Sequence, residues 1–163
     1  MPNSLTSPPV RPLLDRLFDA ADSDDEHRAA VRERHPDGVA GMSARDQADA
    51  YAELYIPVSP EGGRLLYTLV RASRPATVVE FGTSFGISTI HLAAAVRDNG
   101  TGRVVSTELN AAKVAQAGAN LAEAGLADLV TILAGDARET LASLPLRSIS
   151  SSSAAAPPRL PVQ

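Results

Sequence analysis

One stretch constrains the fold of this chain more than any other: residues 77–88, with the sequence TVVEFGTSFGIS. The β-branched run from Thr77 to Phe81 predicts a buried strand, and the apolar residues after the turn have helical character. Gly82 and Gly86 lack a Cβ, so the backbone of the turn between strand and helix can approach a ligand closely. The N-terminus of the helix adds unpaired N–H groups and the positive end of a dipole. These features predict a nucleotide-type cofactor site at the turn.

Two further strands follow this unit, and helices separate them. Residues 103–108, RVVSTE, predict a strand that ends in Glu108, and residues 129–133, LVTIL, predict a third strand. A helix over about 88–96 lies between the first two strands, and a second helix with one apolar stripe precedes the third. That stripe comprises Ala111, Val114, Ala115, Gly118, Leu121 and Ala122. Such alternation predicts an α/β fold, a Rossmann-like parallel sheet with right-handed crossovers.

Residues 1–58 predict an N-terminal helical cap. An amphipathic helix spans about 12–21, a polar helix with Ser23 as its N-cap reaches about 34, and a Ser43-capped helix reaches about 54. The simpler interpretation is a solvated, acidic cap packed on the sheet; the alternative is that part of it closes over a substrate. Ser59 then begins a helix to about residue 72. This helix is expected to bury Leu65, Leu66, Leu69 and Val70.

Composition excludes several classes of protein. The 163 residues, 44% of them hydrophobic, are enough for one domain with a core, and a net charge of −4 with 4% aromatic residues argues against nucleic-acid binding. The chain has no cysteine, so it forms no disulfide. No secretory leader and no apolar run of roughly 20 residues is visible, which argues against membrane insertion. We expect a soluble, cytoplasmic protein.

The ends of the three strands carry the polar residues that a nucleoside would need. Glu108 is placed to accept hydrogen bonds from both ribose hydroxyls, and Asp136 with Ala137 is placed to meet an adenine ring. Each feature has an ordinary alternative. The glycines suit any strand-to-helix turn, Glu108 could be a solvated strand end, and Asp136 could be a helix N-cap. Together, at three successive strand ends, they predict one shared pocket.

The motif from Glu80 to Ser88 resembles the first motif of S-adenosylmethionine-dependent O-methyltransferases of the catechol and caffeoyl-CoA type. The acid at Glu108 and the segment 135–137 match that family at similar intervals, so that the resemblance covers about 59–145. It implies three strands of a class I methyltransferase fold and methyl transfer to an oxygen of a small molecule. It also implies that the cofactor S-adenosylmethionine contacts these residues: Glu80, Gly82, Thr83, Ser84, Gly86 and Ser88 at the turn, then Glu108, Asp136 and Ala137.

The resemblance stops near Pro145. Residues 59–145 are therefore interpreted as a partial cofactor-binding domain, and 146–163, LRSISSSSAAAPPRLPVQ, as a disordered Ser/Ala/Pro tail. Metal-dependent relatives use a divalent cation whose ligands lie beyond this point, so no metal site and no catalytic residue can be assigned. Lys113, the only lysine, is expected to be solvated, and His91 to be a core histidine.

We interpret the chain as a truncated or frame-shifted enzyme whose remaining half-site binds cofactor weakly and turns over little. The hypothesis fails if no other reading frame of the coding DNA encodes a Leu/Val-rich strand and an aspartate downstream. A Ser/Ala/Pro linker is the competing account. The alternatives in function are a non-catalytic remnant that binds cofactor or a partner, and a nicotinamide dinucleotide-binding domain, which the G-x-x-x-G spacing disfavours. An exposed sheet edge would favour a homo-oligomer.

Overall fold

The computed structural model describes residues 3–142. Ten regular elements follow one another in this part of the chain, besides 3-10 turns at Ser4–Thr6 and Ala127–Leu129. In chain order they are α1 (Val10–Asp22), α2 (Asp25–Arg34), α3 (Ala44–Ala50), α4 (Pro60–Ser73), β1 (Thr77–Phe81), α5 (Ile87–Asn99), β2 (Arg103–Glu108), α6 (Ala111–Glu123), β3 (Val130–Ala134) and α7 (Ala137–Thr140). The predicted tail, 146–163, lies outside the described residues.

The three strands form one parallel sheet in the order β1-β2-β3. In the register, Phe81 lies beside Thr107, and Glu108 lies beside Ala134. The carboxyl ends of all three strands therefore meet at one edge of the sheet. This confirms the predicted α/β, Rossmann-like architecture, and β1 is one of the two edge strands of the sheet within residues 3–142.

One face of the sheet carries the hydrophobic core. Val78, Val104 and Val130 are neighbours across the strands and pack with α5, whose residues are buried almost all round. On the opposite face, Val79 is 41% exposed and Phe81 is 78% exposed. The prediction that β1 is a buried strand is therefore wrong for that face, because no element within residues 3–142 covers it.

Helix α4 begins as predicted but buries less than predicted. Ser59 accepts a hydrogen bond from the backbone N–H of Gly62 at 3.1 Å and caps the helix. Val70 is buried and Leu66 partly so, whereas Leu65 and Leu69 are more than half exposed. Leu69 lines the same cavity as Val79 and Phe81 of β1.

Two predictions in the other helices are also corrected. The Ser43 cap is confirmed, but Asp24 rather than Ser23 precedes α2, and its carboxylate is used elsewhere: it accepts from the Tyr55 N–H at 2.7 Å. In α6 the buried face is rotated from the predicted stripe and includes two polar residues. It comprises Lys113, Ala117, Asn120 and Leu121. No helix within residues 3–142 is long and apolar enough to cross a membrane.

Candidate functional site

The turn after β1 is held in a left-handed conformation at three positions. Gly82 has φ +85°, Ser84 has φ +48° and Gly86 has φ +88°. Only glycine adopts such angles without steric cost, so the two glycines are required where they stand. A Cβ added to Gly86 would lie 3.5 Å from that of Ala117, whereas one added to Gly82 would meet nothing within 4 Å. Gly86 thus packs on α6, and Gly82 faces open space.

Thr83 fastens the turn to β2. It is 1% exposed, its N–H donates to the carbonyl oxygen of Thr107 at 2.9 Å, and its hydroxyl lies 2.6 Å from that of Ser106. All the polar groups of this side chain are therefore occupied within the protein. Thr83 shapes the site that the sequence predicted, and its hydroxyl is turned into the fold.

Glu80 is likewise engaged by neighbouring hydroxyls. Ser88 donates to its Oε1 at 2.6 Å, and Thr89 and Ser106 donate to its Oε2 at 2.5 and 2.7 Å. Three charge-assisted hydrogen bonds orient this carboxylate and join the end of β1 to the first turn of α5 and to β2. The sequence grouped Glu80 and Ser88 as cofactor contacts; in the structure they contact each other.

Ser84 connects the turn to the acid at the end of β2. Its backbone N–H donates to Oε2 of Glu108 at 2.8 Å. Its hydroxyl oxygen is buried and has no hydrogen-bond partner within residues 3–142. Buried hydroxyls are nearly always paired, so an orphaned one beside a glycine turn is a position where a ligand atom is expected.

Glu108 is the central acid of this edge. Its Oε1 accepts the N–H of Asn110 at 2.9 Å, its carbonyl oxygen accepts the N–H of Gly135 at 2.9 Å, and the residue is 9% exposed. Each carboxylate oxygen has two lone pairs, and one backbone N–H occupies only one of them. The remaining capacity suits a pair of ligand hydroxyls.

Asp136 and Ala137 form the third side of this edge. The Asp136 carboxylate accepts the backbone N–H of Arg138 at 2.9 Å and caps α7, and the guanidinium of Arg138 approaches it to 2.5 Å. The hydrogen bond from that side chain lowers the pKa of Asp136 to about 2, so this acid is ionised at neutral pH. Ala137 is buried. The hydrogen bonds therefore show Asp136 as a helix N-cap, the alternative interpretation of this residue.

Two cavities meet at the turn, and together they contain eight of the nine predicted site residues. One, of about 350 Å³, is lined by Gly82, Glu108, Asp136 and Ala137. The other, of about 480 Å³, is lined by Glu80, Gly82, Thr83, Ser84 and Ser88. Gly82 belongs to both. Gly86 lines neither cavity, because it packs on α6.

Helix α3 covers the smaller cavity. The sequence did not predict this position of the helix. Ala44, Gln47, Ala48 and Tyr51 line it opposite the strand ends. Part of the N-terminal cap therefore borders the predicted cofactor site, and closure of the cap over a substrate stays a prediction. A short, polar helix of seven residues gave no signal of this placement.

Lys113 was expected in solvent and is instead buried beside the turn. It is 4% exposed, its ammonium donates to the carbonyl oxygen of Leu54 at 3.0 Å, and Nζ lies 5.2 Å from the ring centre of Phe85. Tyr55 stacks on that ring with 4.2 Å between centroids. Burial lowers the pKa of Lys113, which the nearby carboxylate of Glu108 counteracts. Lys113 ties the end of the cap to the turn.

His91 adds no catalytic group to this site, and neither does a metal-binding cluster among the described residues. His91 is 3% exposed, and its Nδ1 lies 2.8 Å from the carbonyl oxygen of Ile87, which confirms a core position. Within residues 3–142, no group of three or more His, Cys, Asp or Glu side chains is arranged to hold a metal ion.

The chain is similar to known methyltransferases in sequence and in fold. The family model described as a methyltransferase domain matches residues 79–153. Over 106 residues the chain is 37% identical to the catechol O-methyltransferase of Mycobacterium tuberculosis, which covers 65% of this chain and 46% of that protein.

Two solved structures are similar as well. The O-methyltransferase TomG from Streptomyces achromogenes, involved in tomaymycin synthesis and solved in complex with SAM, is 35% identical with a TM-score of 0.53, over 64% of this chain and 48% of that one. Cofactor-bound Rv0187 from MTB is 33% identical with a TM-score of 0.54, over 85% and 56%. The chain thus spans about half the length of the relatives it matches.

Proposed function

We propose that this chain, a relative of the S-adenosylmethionine-dependent O-methyltransferases of the catechol type, binds S-adenosylmethionine. The comparisons confirm the resemblance that the turn motif indicated. The activity that goes with this site is methyl transfer to an oxygen of a small molecule. One observation carries the proposal: three successive strand ends and α3 enclose one cavity, and Glu108 lies on its floor with hydrogen-bonding capacity to spare.

The residues present fit an adenosyl group in the smaller cavity. Glu108 would accept the two ribose hydroxyls, while Ala137 and the cap formed by Asp136 would adjoin the adenine ring. Tyr51, directly after α3, offers an aromatic wall over the same space. The fit is polar where the hydroxyls would lie and apolar where the ring would lie, as small-molecule sites usually are.

The turn would hold the methionine part. The unpaired hydroxyl of Ser84 supplies a donor beside Gly82, whose lack of a side chain leaves room for close approach. Glu80, Thr83, Gly86 and Ser88 act indirectly, by fixing the shape of the turn.

When bound, S-adenosylmethionine supplies an electrophilic methyl group, so the protein mainly has to align that methyl with an acceptor oxygen. The acceptor would be a small molecule with a hydroxyl group, in the second cavity beside the turn. The described residues offer no general base there, and catalytic residues stay unassigned. We expect cofactor affinity below that of an intact relative, because Phe81 and Ile56, which line this cavity, are both more than half exposed and leave it open on that side.

Several expectations stay predictions. They are the cytoplasmic location, the absence of nucleic-acid and membrane partners, self-association, and the domain boundaries at 58 and 145. The frame-shift hypothesis concerns residues outside the described part of the chain, and only the coding DNA tests it.

Calorimetric titration of the full chain with S-adenosylhomocysteine tests the proposal. We expect saturable one-to-one binding, weakened about 10- to 100-fold in Glu108→Ala, since hydrogen bonds to a charged group contribute about 1.5–3 kcal/mol. Because Glu108 also holds the turn, a second variant leaves the turn untouched: Ala48→Trp would fill the cavity from α3. Ala29→Trp makes the same change at an exposed position of α2 that lines neither cavity at the turn; it is the matched control and should bind normally.

Three results would contradict the proposal. They are no heat of binding at any concentration, equal affinity in Ala48→Trp and Ala29→Trp, and binding of NAD in place of S-adenosylhomocysteine. The last would revive the dinucleotide-binding alternative.

A further inference from the structure

A third cavity, of about 660 Å³, lies away from the strand ends, where α1 and α4 pack over α5. Its volume is within the range of small-molecule sites, roughly 300–1,000 Å³. Apolar and aromatic side chains form its inner wall, including those of Leu14, Phe18 and Tyr67. None of the proposed cofactor contacts takes part in it.

The base of this cavity is His91, a polar side chain that is 97% buried. Its Nδ1 lies 2.8 Å from the carbonyl oxygen of Ile87, and a carbonyl can only accept, so the proton is on Nδ1. In the neutral ring, Nε2 is then a hydrogen-bond acceptor. Burial lowers the pKa of His91 and favours that neutral form. Nε2 has no hydrogen-bond partner within residues 3–142.

Gly63 shows which way the ring faces. A Cβ added there would lie 2.6 Å from Cε1, 2.6 Å from Nε2 and 2.8 Å from Cδ2 of His91. Near-equal distances to three ring atoms place Gly63 over the face of the ring, not at its edge. Phe18 meets the ring edge-on, with centroids 6.2 Å apart. The glycine thus makes room for the imidazole, and His91 lines the cavity.

The rim of the cavity carries no net charge. Two arginines and two aspartates line it: Arg11, Arg64, Asp15 and Asp19. Arg11 is paired with Asp15 at 2.8 Å, and Arg64 is paired with Glu61 at 2.6 Å. The hydroxyl of Tyr67 is committed to Asp98 at 2.6 Å. An anionic ligand would therefore find no unpaired cation in this lining, and Asp19, the lining carboxylate without an ion pair within residues 3–142, is exposed to solvent.

From this geometry we propose that the cavity is a second ligand site, which binds a small neutral aromatic molecule carrying one hydroxyl or N–H donor. The donor meets Nε2 of His91, and the ring packs between Phe18 and Tyr67. The site is independent of cofactor binding, because it shares no lining residue with the two cavities at the turn.

Phenol and toluene are suitable probes, because they have similar shapes and only phenol carries a donor. NMR of the full chain, observing the imidazole nitrogens of His91, should show saturable binding of phenol with a shift at Nε2. Toluene should bind about tenfold more weakly, the cost of one hydrogen bond of roughly 1.4 kcal/mol. His91→Phe should remove the difference between the two probes, and His91→Gln, which keeps an acceptor, should retain part of it.

A variant outside the core keeps the test valid if His91→Phe does not fold. Thr68 is exposed, lines the cavity, and its hydroxyl donates only to its own helix, to the Arg64 carbonyl. Thr68→Trp should fill the cavity and abolish phenol binding, whereas Ala72→Trp, exposed one turn further along α4, should not. Equal affinity for phenol and toluene, or undiminished phenol binding in Thr68→Trp, would overturn the proposal.

Discussion

A single buried lysine links the N-terminal cap to the glycine turn, and its environment explains why. A buried ammonium is costly unless it is hydrogen-bonded and near opposite charge. Lys113 has the Leu54 carbonyl oxygen at 3.0 Å and the ring face of Phe85 at 5.2 Å, and the carboxylates of Glu108 and Asp24 both act to raise its pKa. The cost is thus offset by contacts from the cap segment 51–58, from the turn and from β2. Lys113 is the residue that holds these three parts in register.

Replacing this lysine should loosen the cap segment selectively. In Lys113→Met we expect amide hydrogen exchange in 51–58 to accelerate on the order of tenfold, since a hydrogen bond from a charged group contributes roughly 1.5–3 kcal/mol. The amide of Tyr55, which donates to Asp24, is the sensitive reporter. Ala115→Met places the same side chain on an exposed position of α6 and should leave these amides unchanged. Equal amide exchange rates in both variants would contradict the proposed link between Lys113 and the cap segment.

Sequence patterns located the residues of the turn better than they described what each one does. Glu80 and Ser88 were identified as site residues from the motif, yet they satisfy each other at 2.6 Å. Glu108 was identified from its place at a strand end, and it lines the smaller cavity, while its contact with a ribose stays a prediction. A motif gives spacing along the chain; whether a polar group faces a ligand or a neighbour depends on contacts such as that of Ser106, 26 positions from Glu80.

At the scale of elements, strands were easier to predict than helix faces. The β-branched runs of β1 and β2 gave their bounds directly, because few other structures accommodate such residues in succession. The stripe of α6 failed, since hydrophobic periodicity cannot foresee a buried Lys113 or Asn120. Asn120 is buried because its amide donates to the Phe85 carbonyl oxygen at 2.9 Å, a partner 35 residues away.

Gly63 and Gly118 both lie inside helices but differ in the space that surrounds them. A Cβ at Gly63 of α4 would lie 2.6 Å from the buried ring of His91, whereas one at Gly118 of α6 would meet nothing within 4 Å. We expect Gly63→Ala to destabilise the protein by about 1–3 kcal/mol through overpacking. Gly118→Ala should stabilise it by about 0.5–1 kcal/mol, because alanine is the better helix former.

Urea unfolding of both variants and of the unaltered protein measures both changes in the free energy of unfolding in one experiment. A neutral Gly63→Ala would mean that α4 and α5 can separate enough to admit a methyl group. In that case the close fit between α4 and the imidazole of His91 would not contribute to the stability of the protein.

For the molecule as a whole, the decisive feature is the apolar surface beside β1. Within residues 3–142, five large apolar side chains are more than 40% exposed, and all but Leu65 line the same cavity: Ile56, Leu65, Leu69, Val79 and Phe81. The sequence led us to expect an exposed edge strand once the pattern of strands and helices ended. It did not predict that the leucines of α4 would share that surface, because a helical stripe looks the same whether or not a partner covers it.

Surface of this kind should cause self-association, and Phe81, 78% exposed, is the residue to change. Burying a phenylalanine contributes about 1.5–3 kcal/mol, so Phe81→Asp should weaken association of the full chain about 10- to 100-fold. Sedimentation velocity across a concentration series would show the shift toward monomer. Thr101→Asp adds the same charge on an exposed loop after α5 and should sediment like the unaltered protein. If the unaltered protein is monomeric at every concentration, or if both variants behave alike, this apolar surface does not drive association.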